Sequence, residues 1–140
     1  MADTSAGTVE FELVSPAKLL VSEPVEMVVI PGAEGDIGVL PGHSPLIATV
    51  RPGIIDIHEG GKVRDRIFVG GGFAEVSPNR CTVLAEEATP VDEINLAIAE
   101  ARLTEAREKA DVADNVGAAE AARQVAIAEE LVAVAKQASE

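Results

Sequence analysis

The sequence has little aromatic character, little cysteine and little positive charge. Trp and Tyr are absent and Phe occurs only 3 times, so the core must be built mainly from aliphatic side chains. Because Cys81 is the single cysteine, no disulfide can form within the chain, and a buried strand cysteine in a reducing compartment is expected. The 24 acidic and 11 basic residues give a net charge of −13, which argues against direct binding to nucleic acid.

A long apolar run is also missing. The chain starts with the polar segment MADTSAGTVE. Its apolar runs, such as MVVIPGA, are far shorter than the roughly 20 residues that a membrane-spanning helix needs. We therefore expect a protein of the cytosol that does not insert into a membrane, although it could lie on a membrane complex.

Proline and glycine nearly disappear in the last third of the chain, which divides the sequence in two. All 8 prolines and 11 of the 12 glycines precede residue 92, so we predict a boundary near Pro90 and domains at 1–88 and 89–140. In the first part, turn segments such as SEP, RPG and EGG separate short runs of strand type. The runs are 9–13, 19–21, 25–30, 46–50, 54–57, 63–69, 74–76 and 81–85. Many short strands with Gly/Pro turns predict a β-sandwich or a flattened barrel.

Helical spacing replaces this pattern after residue 90. Thr89 is the expected N-cap, with Pro90 at the first helical position and Asp92 reaching back. Two apolar seams follow, with DNVG at 114–117 between them predicting a helix stop in which Gly117 takes a positive φ. The seams are Leu96, Ala99, Leu103, Ala106, Ala110 and Ala113, then Ala118, Ala121, Val125, Ala128, Val132 and Ala135. We expect an antiparallel helical hairpin that is folded but easily opened, because its alanine seam buries little area.

No set of residues indicates catalysis. His43 and Ser44 are adjacent, which points their side chains apart, and no GxSxG pattern is present. The two histidines, His43 and His58, have no ligand partners at metal-binding spacing, so neither a metal nor a cofactor is predicted. The run VGGGF at 69–73 fails as a phosphate loop, because Glu75 occupies the last glycine position, and predicts a bulge or a close backbone approach.

Three segments resemble a known family. IPGAEGDIGVLPGHSPLIATVRPG (30–53), FVGGGFAEV (68–76) and TVLAEEA (82–88) are similar to the epsilon subunits of bacterial and chloroplast F-type ATP synthases. The similarity extends from about Val9 to the end of the chain. It implies an α+β fold with an N-terminal β-sandwich of about ten short strands, followed by a C-terminal antiparallel two-helix hairpin.

The resemblance also implies a function and partners. The protein would be a non-catalytic rotor subunit of the central stalk of a proton-translocating ATP synthase, whose sandwich binds the gamma subunit and the c ring. Its helical arm, 89–140, would contact the alpha and beta subunits transiently and inhibit ATP hydrolysis. The resemblance places the protein at the cytoplasmic face of the bacterial inner membrane, as a peripheral subunit.

The resemblance implies a c-ring contact at the turn formed by Ala33, Glu34, Gly35 and Asp36, with His43 nearby. Glu34 or Asp36 would pair with basic residues of the ring. The alternatives are a solvated acidic turn and, for His43, a turn residue that is hydrogen-bonded within its own domain.

Some bacterial relatives bind ATP on the hairpin through a motif of the form I/L-D-x-x-R-A. The corresponding stretch here is INLAIA at 94–99, in which Asn95 replaces the acid and Ile98 the arginine. We therefore predict that the chain does not bind ATP at millimolar concentrations. Two other functions stay open: an adaptor of another complex with a sandwich head and a coiled-coil arm, and a small hydrolase that uses His43.

Overall fold

The computed structural model describes residues 7–138 and separates the chain into two units, Met1–Ala88 and Thr89–Glu140. The polar start of the chain, up to residue 6, lies outside the described residues. No helix within 7–138 is long and apolar enough to cross a membrane.

The first unit is built from one continuous, folded sheet. Its strands are β1 (Val9–Val14), β2 (Leu19–Val25), β3 (Met27–Gly32), β4 (Gly35–Val39), β5 (Leu46–Glu59), β6 (Lys62–Val76), β7 (Arg80–Ala85) and β8 (Ala88–Pro90). They are ordered β2-β1-β7-β6-β5-β3-β4, and β8 pairs with β6 outside this path. The β1–β7 pair is parallel, and the other pairs on the path are antiparallel.

Strands β5 and β6 are much longer than the sequence pattern predicts. They have 14 and 15 residues and pair from Leu46 and Val76 at one end to Glu59 and Lys62 at the other. The prediction of a turn at RPG is therefore wrong, since β5 continues through residues 51–53. The turn predicted at SEP is wrong as well, since residues 22–24 lie within β2. Pro52 in β5 has no amide hydrogen to donate. It is tolerated within the strand because the pairing of β5 with β3 is interrupted between Val29 and Gly32. Each long strand thus joins two predicted runs, and residues 7–138 contain eight strands.

The core of the sandwich follows the predicted alternation. In β1, Val9, Phe11 and Leu13 are fully buried, whereas Glu10 and Glu12 are partly exposed. Cys81 is buried in β7, as predicted, and its burial raises the pKa of the thiol to about 12. The thiol is therefore protonated and unreactive at neutral pH.

The triple glycine in β6 marks a close backbone approach, as predicted. Gly71 and Gly72 have positive φ angles of 107° and 142°, which L side chains rarely adopt. A Cβ atom on Gly72 would lie 2.0 Å from the carbonyl oxygen of Leu84 in β7. Glycine is required at this position because both the backbone angle and the available space exclude a side chain.

The second unit begins its long helix later than the sequence analysis predicts. A short 3-10 helix occupies Val91–Glu93, Ile94 is extended, and the first α-helix, α1, spans Leu96–Asp111. Asn95 is its N-cap, and the Asn95 side chain accepts a hydrogen bond of 3.0 Å from the amide of Ile98. The prediction that Thr89 is the N-cap is wrong, because Thr89 lies in β8. Asn95 takes this role instead, since its side chain accepts the hydrogen bond from the free amide of Ile98.

The second helix, α2, spans Ala118–Ala138 and packs against α1. All residues of the first predicted seam are buried or partly buried, and in the second only Ala118 is exposed. The second seam is incomplete, however, because α2 also buries Ile127, Leu131 and Val134. Gly117 does not have the predicted positive φ. Instead its amide donates to Asp114 Oδ1 at 2.8 Å, and its carbonyl accepts from the amide of Ala121, so Gly117 lies directly before α2.

Candidate interaction site

The residues predicted to contact the c ring lie at the tip of the β3–β4 hairpin. Gly32 and Gly35 pair with each other, so Ala33 and Glu34 form the turn itself. A Cβ atom on Gly32 would lie 2.6 Å from the carbonyl oxygen of Gly35, and Gly35 has a φ of 140°. The amide of Ala33 also donates to the carbonyl of Thr49 in β5 at 2.8 Å. Backbone geometry therefore fixes the shape of this turn.

The two carboxylates of the turn have different surroundings. Asp36 Oδ1 lies 2.7 Å from Nη2 of Arg51 in β5, and Nη1 of the same guanidinium donates to the carbonyl oxygen of Gly32. Glu34 is exposed and has no hydrogen bond or ion pair within the part of the chain that the structure describes. Of the two acids, only Glu34 is unneutralised.

His43 is held by its own segment. The ring is partly buried, its Nδ1 lies 2.7 Å from the carbonyl oxygen of Ser44, and the His43 amide donates to the carbonyl of Leu40 at 3.1 Å. The Ser44 side chain takes no part in this hydrogen bond, so the pair lacks the geometry of a nucleophile and its base.

A groove with a volume of about 490 Å³ opens beside the turn. It is lined by residues 32–37, which include the whole turn, and by 46–49 at the start of β5. Ile47 in this lining has 75% of its surface exposed. The structure thus brings Ala33, Glu34, Gly35 and Asp36 together at one groove, whereas His43 does not line it.

An apolar patch adjoins this groove, and the sequence analysis did not identify it. Ile47, Phe73 and Leu84 are exposed by 75%, 59% and 55%. Phe73 in β6 pairs with Leu84 in β7 and with Thr49 in β5, which places all three exposed residues on one outer face of the sheet. The signal was present in LIATV and CTVLA, where apolar residues occupy both faces of a strand although a sandwich has only one core.

Catalytic or metal-binding groups do not accompany these surfaces. No cluster of three His, Cys, Asp or Glu side chains within residues 7–138 has the geometry to hold a metal ion. The buried residues in this range are all apolar or glycine. The described residues thus form a sandwich that presents an acidic turn and an apolar patch, followed in the chain by a helical hairpin.

Comparison with known proteins identifies the family. The family model for the ATP synthase delta/epsilon chain, beta-sandwich domain, matches residues 8–91. The chain is 57% identical to the ATP synthase epsilon chain of Paramagnetospirillum magneticum, over 91% of this chain and 97% of the relative. It is 54% identical to the epsilon chain of Rhodospirillum rubrum, over 94% of this chain and 98% of the relative. The chain therefore belongs to the ATP synthase delta/epsilon family.

Solved structures agree with this assignment. A chain of the Euglena gracilis mitochondrial ATP synthase, solved as OSCP/F1/c-ring, superposes with a TM-score of 0.76 at 30% identity, covering 95% of this chain and 84% of the other. A chain of the Tetrahymena thermophila central stalk/c-ring structure has a TM-score of 0.61 at 15% identity, covering 94% and 96%, and supports the fold alone. The predicted resemblance and the α+β fold are both confirmed.

Proposed function

We propose that the chain is a non-catalytic rotor subunit of an F-type proton-translocating ATP synthase, coupling rotation of the c ring to the catalytic head through the gamma subunit. The sandwich, residues 1–88, carries the gamma and ring contacts. The hairpin, 89–140, is a regulatory arm that reaches the alpha and beta subunits transiently. The protein is peripheral, at the cytoplasmic face of the bacterial inner membrane.

One observation carries this proposal: the chain is 57% identical to an ATP synthase epsilon chain over nearly the full length of both proteins. The solved relative at 30% identity belongs to an assembly that contains F1 and a c ring. The acidic turn and the apolar patch, which meet at Ile47, add physical support, since a subunit between two partners needs a contact for each.

The apolar patch is the surface that suits the gamma subunit. Permanent interfaces are more apolar than transient ones, and burying a large apolar side chain contributes about 1.5–3 kcal/mol. Ile47, Phe73 and Leu84 together offer such a surface. The acidic turn suits the ring instead, because the resemblance implies that basic residues of the ring contact this turn.

Co-purification tests the proposal. A tagged chain, expressed in its own host and captured from solubilised membranes, should retain gamma and the c ring. We expect Phe73→Ser to reduce the recovery of gamma, whereas Val63→Ser, at an exposed apolar position elsewhere on β6, should not. Recovery of unrelated partners alone would favour the adaptor, and hydrolase activity that is lost in His43→Ala would favour the enzyme.

A further inference from the structure

Two strand edges of the sandwich are joined by side chains. β2 lies at the end of the sheet order, and in the described residues it pairs only with β1. The first part of β6, residues 62–66, pairs with β5, whereas β7 pairs with residues 72–76. We infer that Arg64 in β6 closes the gap between these two edges by binding Glu23 in β2, and that the closed gap prevents either edge from pairing with a second copy of the chain. This inference concerns the free chain and does not depend on the proposed function.

A β-bulge directs Arg64 out of its own strand pair. Ile57 in β5 pairs with Asp65 in β6, and the next residue of β5, His58, pairs with Val63. Arg64 is therefore the extra residue of β6. A bulge bends the strand and changes the direction in which a side chain points, which frees Arg64 to reach a strand other than β5.

One guanidinium binds three carboxylates. Nη1 of Arg64 lies 3.1 Å from Glu59 Oε1, Nε lies 2.7 Å from Asp65 Oδ2, and Nη2 donates to Glu23 Oε2. Glu59 and Asp65 belong to the β5–β6 hairpin itself. Because the donors of a guanidinium have a fixed planar geometry, these two contacts also fix the direction of Nη2, which points across the gap to β2.

Glu23 is a charge on the inner side of an edge strand. It pairs with Phe11 of β1, and directly opposite residues of an antiparallel pair point to the same face of the sheet. Phe11 is fully buried, so Glu23 faces the core side at the rim, with 38% of its side chain exposed. An inward-pointing charge opposes pairing of an edge strand with another chain, but it is costly in the native fold unless it is paired. Arg64 supplies the paired charge.

A second contact crosses the same gap. Glu26 lies between β2 and β3, and its Oε1 accepts a hydrogen bond of 2.7 Å from the amide of Gly60 at the tip of the β5–β6 hairpin. Gly60 and Gly61 have φ angles of 63° and 76°, as a tight two-residue hairpin turn requires. The hairpin is thus tied to β2 near its tip and at Arg64, so opening of the gap should break both contacts together.

The two edges are only partly protected without this contact. Pro24 in β2 has no amide hydrogen to offer a new strand, and Lys62 and Arg66 place charges on β6. Each edge also carries an exposed apolar side chain, Leu19 at 56% and Val63 at 43%. An opened gap would present both edges with these apolar groups, which favours pairing with another chain.

Hydrogen exchange of the isolated full chain tests whether Arg64 closes the gap. We expect Arg64→Gln to raise exchange of the Gly60 amide and of the β2 amides by about five- to fiftyfold, because a charged contact is lost and the region opens as a unit. Arg66→Gln is the matched control, since Arg66 binds Asp56 at 3.4 Å within the β5–β6 pair. It should change these rates by less than about twofold. Equal rates in the two variants would overturn the role of Arg64.

A double-mutant cycle tests the pairing with Glu23. Glu23→Gln should lower the urea midpoint of the natural chain, but in Arg64→Gln it should leave the midpoint unchanged or raise it, because it then removes a charge that has lost its partner. An equal decrease in both backgrounds would overturn the pairing. If Arg64→Gln does not fold, Arg64→Lys keeps the charge without the planar donors and should show the same pattern at smaller amplitude.

Sedimentation velocity tests the protective role. The natural chain and Arg66→Gln should stay monomeric at concentrations at which Arg64→Gln forms dimers. Adding Ser22→Lys, at an exposed position of β2, should remove these dimers, since a lysine on a strand edge opposes pairing. Two results would overturn the protective role: no dimers in Arg64→Gln, or dimers that persist with Ser22→Lys and disappear with Phe73→Ser, which would assign the association to the apolar patch.

Discussion

The sandwich and the helical hairpin differ in what their cores are made of. The sandwich buries large side chains completely, among them Phe11, Leu13 and Ile55. In the hairpin, α1 buries only Ala99 and Ala106, whereas α2 also buries the larger side chains Ile127, Leu131, Val132 and Val134. Full burial of a Leu, Ile or Phe contributes about 1.5–3 kcal/mol, against about 0.8 kcal/mol for a single methylene-sized group. The sandwich core is thus built from large side chains throughout, whereas one helix of the hairpin contributes only alanines to the fully buried positions.

The charged contacts follow the same division. In the sandwich, Arg64 bonds to Glu23, Glu59 and Asp65, and thereby connects β2 to the tip of the β5–β6 hairpin. Between α1 and α2, an exposed pair joins Arg107 to Glu129 at 3.3 Å. One exposed pair contributes at most about 1 kcal/mol, so this contact does little to keep the two helices together.

The largest expected effect is in the sandwich core. Phe11→Ala should destabilise the sandwich by about 3–5 kcal/mol, because it removes a fully buried ring and leaves a cavity. Ala106→Gly in the hairpin should cost only about 1 kcal/mol, mainly through backbone entropy. Urea unfolding followed by circular dichroism measures both, and a larger loss in Ala106→Gly would break the comparison.

A slightly smaller loss is expected where two backbones meet. Gly72→Ala should cost about 2–4 kcal/mol, since it combines an unfavourable φ with a clash against β7. Gly38→Ala is the control, because a Cβ atom there meets nothing within 4 Å and the backbone angle is permitted. Equal thermal stability of the two variants would show that the sheet shifts to accept the methyl group.

Removal of the arm should separate assembly from regulation. A cut at the predicted domain end, residue 88, would divide β8, which pairs with β6, so a cut after Pro90 is chosen to preserve the whole sheet. The truncated chain should still bind gamma and support ATP synthesis, while inhibition of ATP hydrolysis is lost. Loss of assembly by a truncated chain with a folded sandwich would contradict the division of labour.

Nucleotide should have no measurable effect on the hairpin. Asn95 uses its side chain to cap α1, and Ile98, at the position of the motif's arginine, is 70% exposed. Charged hydrogen bonds contribute about 1.5–3 kcal/mol each, so their loss weakens binding by roughly 10²- to 10⁴-fold. Calorimetry of the isolated chain with ATP is the measurement. Submillimolar binding that disappears when residues 94–99 are changed would refute the prediction.

The smallest expected effect is on the labelling rate of Cys81, which tests whether the two units open independently. Cys81 is buried in β7 and its thiol pKa is raised to about 12, so it reacts with a thiol reagent only when the sandwich opens. Ala106→Gly should leave the labelling rate unchanged if the two units open independently, whereas Phe11→Ala should increase it. Faster labelling in Ala106→Gly would show that the arm and the sandwich unfold together.

How much the sequence predicts depends on how local the cause is. Alternation in β1 and the spacing of the first helical seam are local, and both predictions are confirmed. Strand β4 was missed because its two glycines, Gly35 and Gly38, hide any alternation. The passage of β5 through Pro52 depends on the neighbouring strand, as does the pairing of Asp36 with Arg51, 15 residues away in sequence. Such contacts between distant segments cannot be read from periodicity.

The continuous ladder of β5 and β6 has a mechanical consequence. Arg51 and Thr49 contact the acidic turn, and Ile47 in the same strand, β5, belongs to the apolar patch. A force on either proposed contact therefore acts on β5. This strand is bonded to β6 along nearly all of its length. A force that twists one contact relative to the other would act on many hydrogen bonds of the β5–β6 pair at the same time. These bonds would therefore not break one after another. We therefore expect the sandwich to be stiff, so that one proposed contact moves very little relative to the other.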